Sequence, residues 1–212
     1  MRINYLFSGI DKEKGFNKEQ SIYLKEDIKS NKIITFISSN FTNYEKNDIY
    51  YQKLIEHFNN IDITFNNTNL IDNRIDKKLA KEYINNSDII FLMGGDTKLQ
   101  MNFLIEYELL DTLKQYNNII IGVSAGAMNQ VKRVVYKNEY NNCLIEDYQG
   151  LGYFDINIYP HLDMNDLDYL KEILEVSTYT KTIALPNDSF VRIKDNIPTI
   201  IGEYYELSGE KV

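Results

Sequence analysis

The 212-residue sequence has one cysteine, Cys143, two histidines, His57 and His161, and no tryptophan. A single cysteine excludes an internal disulfide and fits a reducing, cytoplasmic setting. No apolar run approaches the length of a membrane span. The opening "MRINYLFSGI" lacks the basic flank, long apolar region and small-residue cleavage site of a signal peptide. Positive charge is scarce too, with 23 Lys and Arg against 31 Asp and Glu and a net charge of -8. That balance provides no basic stripe for nucleic acid. Neither a nucleic-acid nor a membrane partner is expected.

Composition is that of an ordinary globular chain, 43% hydrophobic and 25% charged. Its length suits one sizeable core, and no repeat, linker or low-complexity tail divides it, so residues 1–212 are expected to form one domain. Apolar, β-branched runs at Ile3–Phe7, Lys32–Ser39, Ile61–Asn67, Asp88–Gly95 and Ile119–Ser124 predict strands. Several are apolar throughout, as strands covered on both faces should be. Between them, Asp48–Asn60, Asp76–Asn86 and Thr97–Tyr116 repeat apolar residues at helical spacing. The alternation predicts an α/β fold with a mainly parallel sheet flanked by helices. After Ser124 the pattern turns to short strands, a helix in "NDLDYLKEILEVS" and antiparallel strands near the end.

The run "IIIGVSAGAMN" sends an apolar strand into Gly122-Val123-Ser124-Ala125-Gly126 and then into small helix formers. Strand, Gly-x-Ser-x-Gly and helix together describe a nucleophile elbow, a sharp turn that lifts a hydroxyl clear of the sheet. Its bland alternative is a serine that only caps the following helix. A serine attacks only with a base at hand. His57 lies near the end of a helix, where histidines usually cover surface. His161 follows "INIYP" on a strand-to-helix loop and is the better base. Gly94 and Gly95 end the preceding strand and allow backbone N–H groups to approach an anion. They lack the spacing of a nucleotide phosphate loop. Two glycine-bearing strand ends side by side form the crevice in which open α/β sheets bind ligands.

Together "FLMGGDTKLQMNFL", "IIIGVSAGAMN" and "IYPHLD" resemble the serine peptidases of family S51, which includes peptidase E and cyanophycinase and has a fold like class I glutamine amidotransferases. The resemblance implies Ser124 as nucleophile, His161 as general base, and an oxyanion hole from Ala125 with Gly94 or Gly95. For the third triad member it leaves two acids, Glu139 and Asp188. It implies hydrolysis of short peptides, with dipeptides bearing an N-terminal aspartate as the family-based substrate, no cofactor, and a monomer or homodimer. Lys98, Lys132, Arg133 and Arg192 are the cations near the motifs that a substrate carboxylate would need. Asp163, Asp166 and Asp168 invite a metal reading, but a helix start explains them more simply, and no metal is expected. Cys143 lies without glycines in "YNNCLIE" and reads as a quiet thiol. An α/β-hydrolase esterase and a non-catalytic binding module are the rival readings.

Overall fold

The computed structural model describes residues 2–29, 32–138 and 144–209. In chain order the elements are β1 (Ile3–Phe7), α1 (Lys18–Asp27), β2 (Lys32–Ile37), α2 (Tyr44–Asn59), β3 (Phe65–Ile71), α3 (Lys77–Asn86) and β4 (Ile89–Leu92). Next come α4 (Thr97–Glu106), α5 (Leu110–Gln115), β5 (Ile119–Val123), α6 (Ala125–Met128), β6 (Arg133–Asn138), β7 (Leu144–Gln149) and β8 (Asn157–Tyr159). The chain closes with α7 (Leu167–Ser177), β9 (Thr182–Ala184), β10 (Phe190–Lys194), β11 (Ile197–Ile201) and β12 (Tyr205–Leu207).

Seven strands form the main sheet in the order β11-β10-β1-β5-β4-β2-β3. The five from β1 to β3 in that order run parallel, and β10 and β11 add antiparallel strands beyond β1. The apolar runs predict this, because a parallel strand must bury both faces. In β4, Ile89 and Phe91 enter one core with Phe7, Phe36 and Phe58, while Ile90 and Leu92 enter another with Leu104 and Leu113. Emptying a fully buried position such as Phe91 to alanine costs about 3–5 kcal/mol. Two smaller sheets, β12-β9-β8 and β6-β7, lie outside the main one.

Local signals set most boundaries. Asn17 caps α1 with a reciprocal bond to Gln20, and Asp76, Asp96 and Asp166 cap α3, α4 and α7. Two expectations shift, and one helix is new. The strand expected at Ile61–Asn67 begins at Phe65, because Ile61, Asp62 and Ile63 still donate to carbonyls at the end of α2 and Asp62 is left-handed. The helix expected over Thr97–Tyr116 is two helices, interrupted where Glu108 adopts φ 56. Helix α1 was not foreseen, since its apolar face is slight, with only Gln20 and Leu24 buried.

Candidate active site

The parallel order puts the carboxyl ends of β4 and β5 side by side, with the end of β1 next to them. Ser124 stands at the end of β5 with φ 52 and ψ -113, a backbone conformation unusual for a residue with a side chain. Its N–H still donates to Phe7 O at 2.9 Å, so the sheet holds the residue until the chain turns. Close approach explains the flanking glycines. A Cβ on Gly122 would stand 2.3 Å from Gly126 O, and one on Gly126 would stand 2.1 Å from Leu92 O. The helix that follows, α6, is a single turn of four residues, and Ser124 makes no side-chain capping bond to it. The capping alternative therefore fails for this serine.

Two buried amides lock the turn from below. Gln130 Nε2 donates to Tyr5 O at 2.9 Å, and Asn4 Nδ2 donates to Gln130 Oε1 at 3.0 Å. Asn129 Nδ2 donates to Thr97 O at 2.9 Å, and the Tyr148 hydroxyl donates to Asn129 Oδ1 at 2.9 Å. Fully satisfied buried amides fix one geometry, because any shift leaves a desolvated polar group unpaired. Sequence reasoning passed over both, although a polar Asn-Gln pair directly after an apolar turn was a signal.

His161 sits in the loop after β8, itself left-handed at φ 59. Its N–H donates to Ser8 Oγ at 2.7 Å, and that hydroxyl donates to Leu185 O at 2.8 Å. The Tyr169 hydroxyl holds Pro160 O at 2.6 Å. Thus positioned, His161 Nε2 lies 2.7 Å from Ser124 Oγ. On the other side of the ring, Nδ1 lies 2.6 Å from Asn187 Oδ1. With Nδ1 carrying the proton, Asn187 accepts it, and the Nε2 lone pair faces the serine hydroxyl. Gly9 makes the space, because a Cβ there would come within 2.8 Å of Asn187 Oδ1.

The two acids named for the third position fare differently from Asn187. Glu139 lies outside the described residues. Asp188 is the next residue along, but its backbone carbonyl accepts from Asn17 Nδ2 at 3.0 Å and its carboxylate stands 3.5 Å from the same amide. Asn187 and Asp188 are the central residues of a turn closed by the Ser189 N–H on Pro186 O at 2.9 Å, and here the ring meets the asparagine. The signal was present in "LPNDSF", where the residue before the aspartate also offers an acceptor oxygen.

Gly94 is beside the serine: a Cβ on it would stand 3.5 Å from Ser124 Cβ. Ser39 Oγ donates to Gly94 O at 2.7 Å, and Gly95 has φ 140, within reach of glycine alone. Ala125 follows Ser124 at the start of α6 and is wholly buried.

His57 lines the recess beside Ser124 but makes no hydrogen bond to it. It is 5% exposed, packs edge-on against Phe16, and leaves Nδ1 without a hydrogen-bond partner. The four cations read from the motifs are engaged elsewhere: Lys98 with Glu146, Lys132 with Asp155, Arg133 with Asp147, and Arg192 with Asp27 and Glu26. Asp166 caps α7, Asp168 pairs with Lys171, and Asp163 accepts from Asn165 N, which is the helix-start reading. Among the described residues no group of acids, histidines and cysteines is arranged to hold a metal. No described helix is long and apolar enough to cross a membrane. Cys143 lies outside the described residues.

Known proteins share both sequence and architecture with this chain. It is 27% identical over 138 residues to peptidase E of Haemophilus influenzae (strain PittGG), covering 59% of each protein. The chain thus spans about three fifths of the length of that curated relative. A candidate peptidase E from Listeria monocytogenes EGD-e superposes with a TM-score of 0.73 at 15% identity, over 95% of this chain and 98% of the other. A peptidase from an acI-B1 Actinobacterium also gives 0.73, at 16% identity, over 100% of this chain and 92% of its own. Those two likenesses show the fold. The sequence model of peptidase family S51 matches residues 6–201, and the chain belongs to that family.

Proposed function

We propose that this protein is a serine-type hydrolase of short peptides in which Ser124 is the nucleophile and His161 the general base. The observation that carries the reading is the 2.7 Å approach of His161 Nε2 to Ser124 Oγ on a strained turn. Hydrogen-bond reach between nucleophile and base, with the base oriented by a third group, is the arrangement that activates a hydroxyl.

The steps follow from that geometry. His161 Nε2 takes the hydroxyl proton as Ser124 Oγ bonds to the substrate carbonyl carbon, and negative charge develops on the carbonyl oxygen. The Ala125 N–H and an N–H of Gly94 or Gly95 supply the oxyanion hole, worth about 3 kcal/mol per donor in such sites. The imidazolium gives its proton to the amine as the C–N bond breaks. Water then attacks the acyl-serine, with His161 taking its proton and returning it to Ser124. Asn187 occupies the position of the orienting acid and holds the ring through Nδ1–H.

Dipeptides with an N-terminal aspartate are the substrates that the resemblance to family S51 suggests. Hydrolysis of Asp-Leu, Asn-Leu and Ala-Leu by wild type, Ser124→Ala and His161→Ala is the test. Each variant should lose about 10⁴-fold or more in kcat. Undiminished turnover by Ser124→Ala would remove the serine from the mechanism.

A further inference from the structure

Two recesses share Gly95, Ser124 and His161 in their linings. The smaller, of about 130 Å³, is walled by Tyr136, Tyr159 and Tyr169, and its acids are engaged, Asp96 as the cap of α4 and Glu172 with the Tyr159 hydroxyl. Its one lysine, Lys137, is paired with Glu175 at 3.0 Å. The larger, of about 720 Å³, carries Lys12, Lys46 and Lys53 beside Tyr50. The same lysines, with Glu13 and Glu45, line a further groove of about 440 Å³. Two acids also line the larger recess, but both are engaged locally. Asp11 accepts from the N–H groups of Glu13 and Lys14 at 2.8 Å, and Asp188 faces Asn17.

Lys53 pairs with Glu13 at 2.8 Å. Lys12 has no carboxylate partner among the described residues, and Lys46 has only the Tyr50 ring, 5.7 Å away. Three lysines against two acids leave this recess with an excess of positive charge on a chain of net charge -8. Cations without carboxylate partners attract an anionic ligand. The larger recess therefore suits a segment ending in a carboxylate.

We propose that Lys12 and Lys46 form a subsite for the C-terminal carboxylate of the peptide. The proposal rests on Ser124 as the reacting residue, which lines the same recess as the lysines. It makes the enzyme selective for short peptides with a free C-terminus.

The test compares Ala-Leu, Asn-Leu and Asp-Leu, each as free acid and C-terminal amide, with wild type and Lys12→Met/Lys46→Met. Both lysines are exposed, so thermal unfolding of the variant should match wild type. The free acid should show a KM about tenfold below its amide, with kcat within about twofold. The double variant should erase that difference by raising KM for the acid alone. Calorimetric binding of the same peptides to Ser124→Ala gives the answer without turnover: tighter acid binding that disappears in the lysine variant supports the subsite. Equal handling of acid and amide by wild type, retention of the preference in the variant, or binding of none of the six peptides overturns it. Failure of the serine reading looks different, because Ser124→Ala would then hydrolyse peptide as wild type does.

Discussion

Asn187 Oδ1 lies 2.6 Å from His161 Nδ1, so the ring that reaches Ser124 is oriented by a neutral amide. An amide fixes the tautomer as a carboxylate would, but it adds no full negative charge to stabilise an imidazolium. Asn187→Asp supplies that charge, and an opposite charge at this distance favours the protonated ring. The acidic limb of the rate profile should move to higher pH by about 1 unit. Asn187→Ala should lower kcat by about 100-fold or more without moving Tm by more than a few degrees. Profiles of kcat/KM against pH for the three proteins decide it; superimposable profiles would strip Asn187 of its role.

Gly126 permits the turn to pass under Leu92 O, and Gly126→Ala should be one of the most damaging small substitutions in the chain. The clash at 2.1 Å is with backbone, which cannot swing aside. Overpacking of this kind costs about 1–3 kcal/mol or more. Thermal unfolding should show a clear loss of Tm, and any protein that folds should be inactive because the serine has moved. Full activity with unchanged Tm would mean the elbow is looser than described.

A buried ionic knot ties α1 to β10. Asp27 accepts from Arg192 at 2.7 Å, Lys194 at 2.9 Å and the Tyr5 hydroxyl at 2.6 Å, and its side chain is 1% exposed. Burial alone would raise the Asp27 carboxyl, but the hydrogen bonds from Arg192, Tyr5 and Lys194 outweigh it and hold it below the ordinary range. The group therefore adds stability above the unfolded value of about 3.9, and the contribution disappears as pH falls through the folded one. Asp27→Asn should cost about 3 kcal/mol at pH 7, and less at pH 3. Denaturant titrations at both values check the sign.

His57 makes a second pH prediction of the same sense. Burial, and then the charge of Lys53, depress its proton affinity in the folded state. The unfolded chain takes up a proton near pH 6.5 that the folded chain refuses, so stability declines as pH falls below that value. His57→Phe removes the titrating ring and its unpartnered Nδ1. Its Tm should change less than that of wild type between pH 7.5 and 5.5. An unaltered slope would assign the acid sensitivity elsewhere.

The chain's own pattern determined the features that depend on neighbours a few residues apart. Apolar runs through Ile89–Leu92 and Ile119–Val123 specified strands buried on both faces, and Asp96 and Asp166 specified helix starts. Gly122-Val123-Ser124-Ala125-Gly126 marked the turn, because close backbone approach excludes side chains wherever it occurs. With one loop histidine available, composition narrowed the pairing of Ser124 and His161 to almost a single choice.

Tertiary structure decided what depends on distant segments meeting. Whether Asn187 or Asp188 faces His161 is set by the direction of one loop over Gly9, and an Asn-Asp sequence is silent about direction. The cations beside the site come from the β1–α1 loop and α2, brought to the crevice by the order of strands, while those near the motifs pair elsewhere. Spacing along a chain constrains a local turn through sterics; it carries no information about which remote side chain the fold turns toward it.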